Sequence, residues 1–209
     1  MKRWVLSLLM TLVPLVGAAQ APGDSVHDAW QIALEKTRAG QHLEAIGDLV
    51  VLDRRLREDG ASAEVGQLVR YYVLYNLAQA GRFAEVRSRR GIVRADELPQ
   101  AFRTDLVRLE AEAALETGDP QGARDLLAGI RPRTGRMDLL YGRALAALDQ
   151  PLTARDAIAQ GLIAGDDATG REKRAAAAAL VGVLEAEGRL AEAETLRRIL
   201  VQVYGQGDP

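Results

Sequence analysis

Apolar residues recur three and four apart along most of this chain, in stretches broken by short polar turns. Trp30, Ala33 and Leu34 open the pattern; Ala45, Ile46, Leu49 and Leu52 repeat it after a turn. Such spacing puts the apolar side chains on one face of a helix. Gly60-Ala61-Ser62 breaks the periodicity, and Leu68, Tyr71, Tyr72, Leu74, Tyr75 and Leu77 resume it in the most aromatic stretch. Pro99 marks the next helix start, with Thr104 or Asp105 as the expected cap of a helix carrying Leu106, Leu109, Ala113 and Leu115. Asp119-Pro120 begins its partner, because proline suits a first helical turn. Later helices are predicted over 137–148, 153–163, 173–187 and 191–204. Strand signals are nearly absent, so the fold class is all-α.

The turns themselves repeat. Gly40-Gln41-His42-Leu43-Glu44-Ala45, Gly81-Arg82-Phe83-Ala84-Glu85-Val86, Gly118-Asp119-Pro120-Gln121-Gly122-Ala123 and Gly188-Arg189-Leu190-Ala191-Glu192-Ala193 share one plan, and Asp149-Gln150-Pro151-Leu152-Thr153-Ala154 is a weaker copy. A glycine ends one helix in a left-handed conformation, and a small residue five positions on lets the next helix pack close. The anchors Ala45, Val86, Ala123, Ala154 and Ala193 lie 41, 37, 31 and 39 residues apart. A recurring helix–turn–helix unit of roughly 34 residues is the mark of a helical repeat array.

These cassettes resemble the tetratricopeptide repeat (TPR) family in a degenerate form, from about Asp24 to about Tyr204. The match is strongest in 30–52 and 179–200, and Tyr141-Gly142 matches the large–small pair of a TPR first helix. The spacing is irregular, and Ser88-Arg89-Arg90-Gly91 puts charge and glycine where the second unit's return helix needs an apolar face. The resemblance implies a solenoid of about five antiparallel helical hairpins over 24–204, treated as one domain.

The chain has 209 residues with 48% apolar content, enough to bury a core spread along an array. Formal charge is −2, which argues against a general nucleic-acid binder. Cysteine is absent, which removes disulfides, thiolate metal sites and cysteine nucleophiles together. Residues 1–19 read as a cleavable signal peptide: Lys2 and Arg3, an apolar run from Trp4 to Val16 interrupted by Pro14, then Gly17-Ala18-Ala19. That run is shorter than the ~20 residues of a comfortable membrane span. Residues 20–23 are a linker and 205–209 a polar tail. The expected location is periplasmic or extracellular, in a bacterial envelope, with no integral span after cleavage.

No constellation for catalysis is visible. Both histidines, His27 and His42, lie in the first unit. His27 stands near Asp24 and Asp28, where compensation of a helix N-terminus explains the acids better than a metal does. Asp166-Asp167 lacks the alternating ligands of a calcium loop. Glu110/Glu112 and Glu185/Glu187 are two apart and do not face each other on a helix. No cofactor is expected, and the chain reads as non-enzymatic. Arg82, Arg87, Arg89, Arg90 and Arg94 form the densest basic run, either an anionic contact site or a solvated face near helix C-termini.

In TPR proteins the first helices of successive units line a concave groove that holds a peptide or helix. Carried over by position, the resemblance implies a partner-binding surface of His27, Trp30, Leu34, Arg38, Tyr71, Tyr75, Arg108, Glu112 and Arg143. Asp105, Glu116 and Arg136 extend it, and the last unit contributes small residues only, Ala175, Ala178 and Gly182. Trp30 and Tyr71 suit either groove or core, while Tyr72 suits the core. Asn76 is the chain's sole asparagine, so the basic–Asn pairs of the carboxylate-gripping TPR subfamily are missing. The function this implies is an adaptor or scaffold that binds a protein segment and supports assembly of an envelope complex. The alternatives are a structural protein that associates with itself through open array ends, and an accessory protein binding a cell-wall fragment or small molecule.

Overall fold

The computed structural model describes residues 26–165 and 167–204. The signal peptide, the linker, the expected cap at Asp24 or Ser25 and the tail lie outside the described residues. Among the described residues the chain is all-helical, with ten α-helices. It divides into two compact units at Ala80/Gly81.

The first unit holds α1 (Val26–Arg38), α2 (His42–Glu58) and α3 (Ala63–Gln79). Trp30, Ala33 and Leu34 of α1 meet the core with Ala45, Leu49, Leu52 and Leu56 of α2. Ser62 caps α3, its hydroxyl accepting from the Val65 amide at 3.4 Å. Buried Asn76 ties the three helices together: its amide nitrogen donates to the Thr37 hydroxyl and the Tyr72 carbonyl, and its oxygen lies 2.8 Å from His42 Nδ1.

The second unit holds α4 (Phe83–Ser88), α5 (Gln100–Glu116), α6 (Pro120–Ala128), α7 (Gly135–Ala147), α8 (Pro151–Ala164), α9 (Gly170–Ala186) and α10 (Leu190–Tyr204). Helix α4 stops at Ser88, where the apolar face fails, and short 3-10 turns at Arg90–Ile92 and Ala95–Glu97 carry the chain to Pro99. Helix α5 begins directly after Pro99, one turn earlier than a cap at Thr104 or Asp105 requires. Proline supplies the fixed backbone of that start, and the Thr104 hydroxyl, inside the helix, donates back to the Gln100 carbonyl. Asp119 caps α6, accepting from the Gly122 amide at 2.8 Å, and Thr134 caps α7. Thr169 and Glu172 form a reciprocal capping box on α9.

The repeated turn works as its residues require. Gly40, Gly81, Gly118 and Gly188 take φ values of 73° to 81°, and Asp149 takes 56° in the same place. At four of these turns the following residue's amide closes the helix end: Gln41 on the Lys36 carbonyl, Asp119 on Ala114, Gln150 on Leu145 and Arg189 on Leu184. The anchors five positions on, Ala45, Val86, Ala123, Ala154 and Ala193, are all buried. Helices α7 and α8 approach closely at Gly135, Gly142 and Gly161, where neighbouring atoms stand at the positions a Cβ would need.

Candidate functional site

In the first unit the groove-expected aromatics pack against one another. Trp30 is buried and meets Tyr72 edge-on at 5.1 Å; Tyr71 is buried and meets Tyr72 edge-on at 5.3 Å. Leu34 is also in the core. Tyr72, expected in the core, is half-buried, as is Tyr75. The reason is geometric: α3 packs on α2 with Tyr72 reaching Trp30 of α1, so its aromatic rings fill the space between α1 and α3 before they can offer a surface. His27 and Arg38 stay exposed. Asn76 spends its amide on Thr37, Tyr72 and His42, so it has no amide free for a ligand.

In the second unit the first helices α5, α7 and α9 are joined by charge. Arg108 and Glu112, four apart on α5, are 2% and 3% exposed and pair at 2.8 Å. Asp105 takes the other edge of the Arg108 guanidinium. Arg136, on the first turn of α7, reaches Glu172 on α9 and lies 3.8 Å from Glu112; Arg171 reaches Glu112 at 3.4 Å. Glu172 thus caps its own helix and holds α7. Burial raises the Glu112 pKa above the ordinary glutamate range, opposed by Arg108, Arg136 and Arg171 and reinforced by Glu172. One turn further along, Arg143 of α7 bridges to Glu116 of α5 at 2.8 Å. Arg108, Glu112, Arg136, Glu116 and Arg143 therefore come together, but as partners of one another.

Beyond these charges lies an open cavity of about 610 Å³. Leu115 and Arg143 wall it on one side, Asp149 and Pro151 stand in the α7–α8 turn, and Ala146 and Ala147 continue it along α7. Its other side is α9, where Ala175, Ala179, Gly182 and Ala186 recur four, three and four apart. Ala175 and Gly182 were expected on this face; Ala178 is exposed outside the cavity. Leu115, Ala146, Ala147 and the turn residues were missed, as was Val183, where the last unit was expected to contribute small residues only. The signal available for them was the run of small residues at helical spacing on α7 and α9.

The basic run is spent internally. Arg82 and Arg89 pair with Glu85, Arg87 with Asp119, Arg90 with Glu110 and Arg94 with Glu97. Asp119 is held below the ordinary aspartate range by the Gly122 amide and by Arg87. Glu110 is raised by its burial, against the pull of Arg90. Among the described residues no helix is long and apolar enough to cross a membrane.

Two solved structures are similar to this chain. A Podosopora anserina protein described as a kinesin light chain with nearly identical TPR-like repeats matches at 17% identity, over 88% of this chain and 97% of its own, with a TM-score of 0.56. A form of that protein with one residue substituted matches at 16% identity, over 85% of this chain and 93% of its own, with a TM-score of 0.57. No family model matches the sequence, and no curated protein does. The fold is thus that of a TPR-like helical repeat protein.

Proposed function

We propose that this chain is a non-enzymatic adaptor that binds a segment of a partner protein in the cavity of the second unit. The cavity carries the proposal: it lies along α5, α7 and α9, the first helices of successive hairpins, and its α9 side is alanine and glycine apart from Val183. Small side chains leave volume that a bulky apolar residue of a partner fills, gaining roughly 1.5–3 kcal/mol for each such side chain buried. The charges nearby are neutralised in pairs, so apolar contact supplies the affinity and Arg143, tied to Glu116, orients the segment.

The far end of the array favours this reading over head-to-tail stacking. Setting Asp149 on Gly188 places Leu139 opposite Ala178 and Ile158 opposite Arg197. Leu139 and Ile158 are the buried residues on which the last hairpin sits. At the last hairpin itself those positions are a small residue and an arginine bound to Glu185 and Glu194. Those two positions therefore offer a further hairpin no apolar seat like the one Leu139 and Ile158 give α9.

The N-terminal pattern of Lys2-Arg3, an apolar run and small residues supports export, and with it an envelope complex as the place of action. Crosslinked capture with the mature chain and with Gly182→Phe tests the binding reading. Nothing lies within 4 Å of a Cβ at Gly182, so the substitution fills the cavity without disturbing the core. Partners held by the native chain and lost from Gly182→Phe, at equal thermal stability, support the cavity as the site. Capture that is unchanged by the filling refutes it.

A further inference from the structure

We propose that the outer face of α2 is a self-complementary surface on which a second copy of this chain docks, antiparallel, about a twofold axis between Gly47 and Val50. The face is opposite the α2 core residues Ala45, Leu49, Leu52 and Leu56. It carries Leu43, Gly47, Val50 and Arg54 at steps of four, three and four, the spacing of a helix–helix seam. Leu43 is 60% exposed, Val51 51% and Val50 40%, so three large apolar side chains stand in solvent within little more than two turns. A Cβ at Gly47 would have nothing within 4 Å, so the glycine is not required by the chain's own packing.

The charges identify the occupant. Glu44 stands on the first turn of α2 and Arg55 on its last, on the same flank of the seam. An antiparallel second copy centred between Gly47 and Val50 sets Val50 against the second copy's Gly47, a knob over a hole. It sets Leu43 against the aliphatic stem of the second copy's Arg54, whose charged end stays in water. It also sets Glu44 about 3 Å along the axis from the second copy's Arg55, within reach of that long side chain, and the symmetry repeats each contact. Neither Arg54 nor Arg55 has an ion-pair partner among the described residues. An anionic membrane surface suits the face less well, because Glu44, Glu58 and Asp59 accompany its arginines. A helix of 17 residues is about 25 Å long, so the contact is of modest area and the dimer weak.

Sedimentation equilibrium of the mature chain over a concentration series tests this, with circular dichroism as the control for folding. The native chain is expected to show a monomer–dimer equilibrium that Val50→Glu abolishes. Glu44→Arg and Arg55→Glu are each expected to raise Kd about tenfold, through the two symmetric rim pairs. The two substitutions combined restore the native Kd. A chain that stays monomeric to its solubility limit overturns the proposal. So does a dimer indifferent to Val50→Glu, or a double variant no tighter than the single ones. None of these outcomes touches the cavity of the second unit, whose test is separate.

Discussion

Adding one methyl group at each of two glycines in the second unit is expected to change stability in opposite directions. At Gly142, on α7, a Cβ would stand 2.5 Å from Ile158 Cγ1, 2.9 Å from the Ile158 nitrogen and 3.0 Å from the Ala154 carbonyl oxygen. Ordinary contacts between carbon atoms are ~3.5–4.0 Å, so α7 and α8 must part by up to about 1 Å. Ile158 is fully buried and has no room to swing aside. Overpacking of this kind costs about 1–3 kcal/mol, and two main-chain contacts place the cost near the upper end. Alanine's better helix propensity returns ~0.5–1 kcal/mol, leaving a net loss of about 2 kcal/mol. At Gly182, on α9, nothing lies within 4 Å of the same atom. There the propensity gain stands alone, at about 0.5–1 kcal/mol. In thermal melts followed by circular dichroism, Gly142→Ala should lower Tm by about 4–8 °C and Gly182→Ala should raise it by about 1–4 °C. Hydrogen exchange of the α7 and α8 amides localises the loss. A Gly142→Ala chain as stable as wild type, or a destabilised Gly182→Ala chain, would refute the register in which α7 packs on α8 and α9.

Three further outcomes follow from particular contacts. Asp149 occupies the left-handed position that glycine fills in the other hairpin turns, so Asp149→Gly is expected to stabilise the chain by roughly 0.5–1 kcal/mol in urea unfolding. Asn76→Ala strips partners from Thr37, His42 and the Tyr72 carbonyl at once and should cost about 2–3 kcal/mol in the first unit, read by hydrogen exchange in α1 to α3. Glu112→Leu takes from Arg108 the buried carboxylate it pairs with and should cost about 3 kcal/mol or more, whereas Arg108→Met combined with Glu112→Met should be close to neutral, because the desolvation of both ions is relieved together. The same carboxylate gives a pH signature. Its folded pKa is raised, so the stability it contributes is complete below the ordinary glutamate value and is lost as pH rises through the raised one. The advantage of wild type over Glu112→Gln should therefore shrink as pH climbs from the ordinary glutamate value through the raised one, and an advantage that grows over that range would contradict the burial.

The sequence alone determined most of the helices, the hairpin turns and the small residues at which they touch, though not the start of α5. Those features are local: a glycine with positive φ and a small residue five positions later are demanded by the chain near them, so the five anchors from Ala45 to Ala193 were legible and all five are buried. The failing return helix at Ser88 was legible for the same reason. Which face of a first helix meets solvent was not. Trp30 and Tyr71 have the spacing of either face, and only the approach of α1 to α3 decided that their rings pack on Tyr72. Arg108, Glu112 and Arg136 read as an exposed charged surface because charge is normally solvated. Tertiary structure buried them by bringing Glu172 and Arg171, dozens of residues away, to the same point. The cavity belongs wholly to tertiary structure: alanines on α7 and α9 announce close packing, and only the way α5, α7 and α9 come together leaves open volume along that stripe.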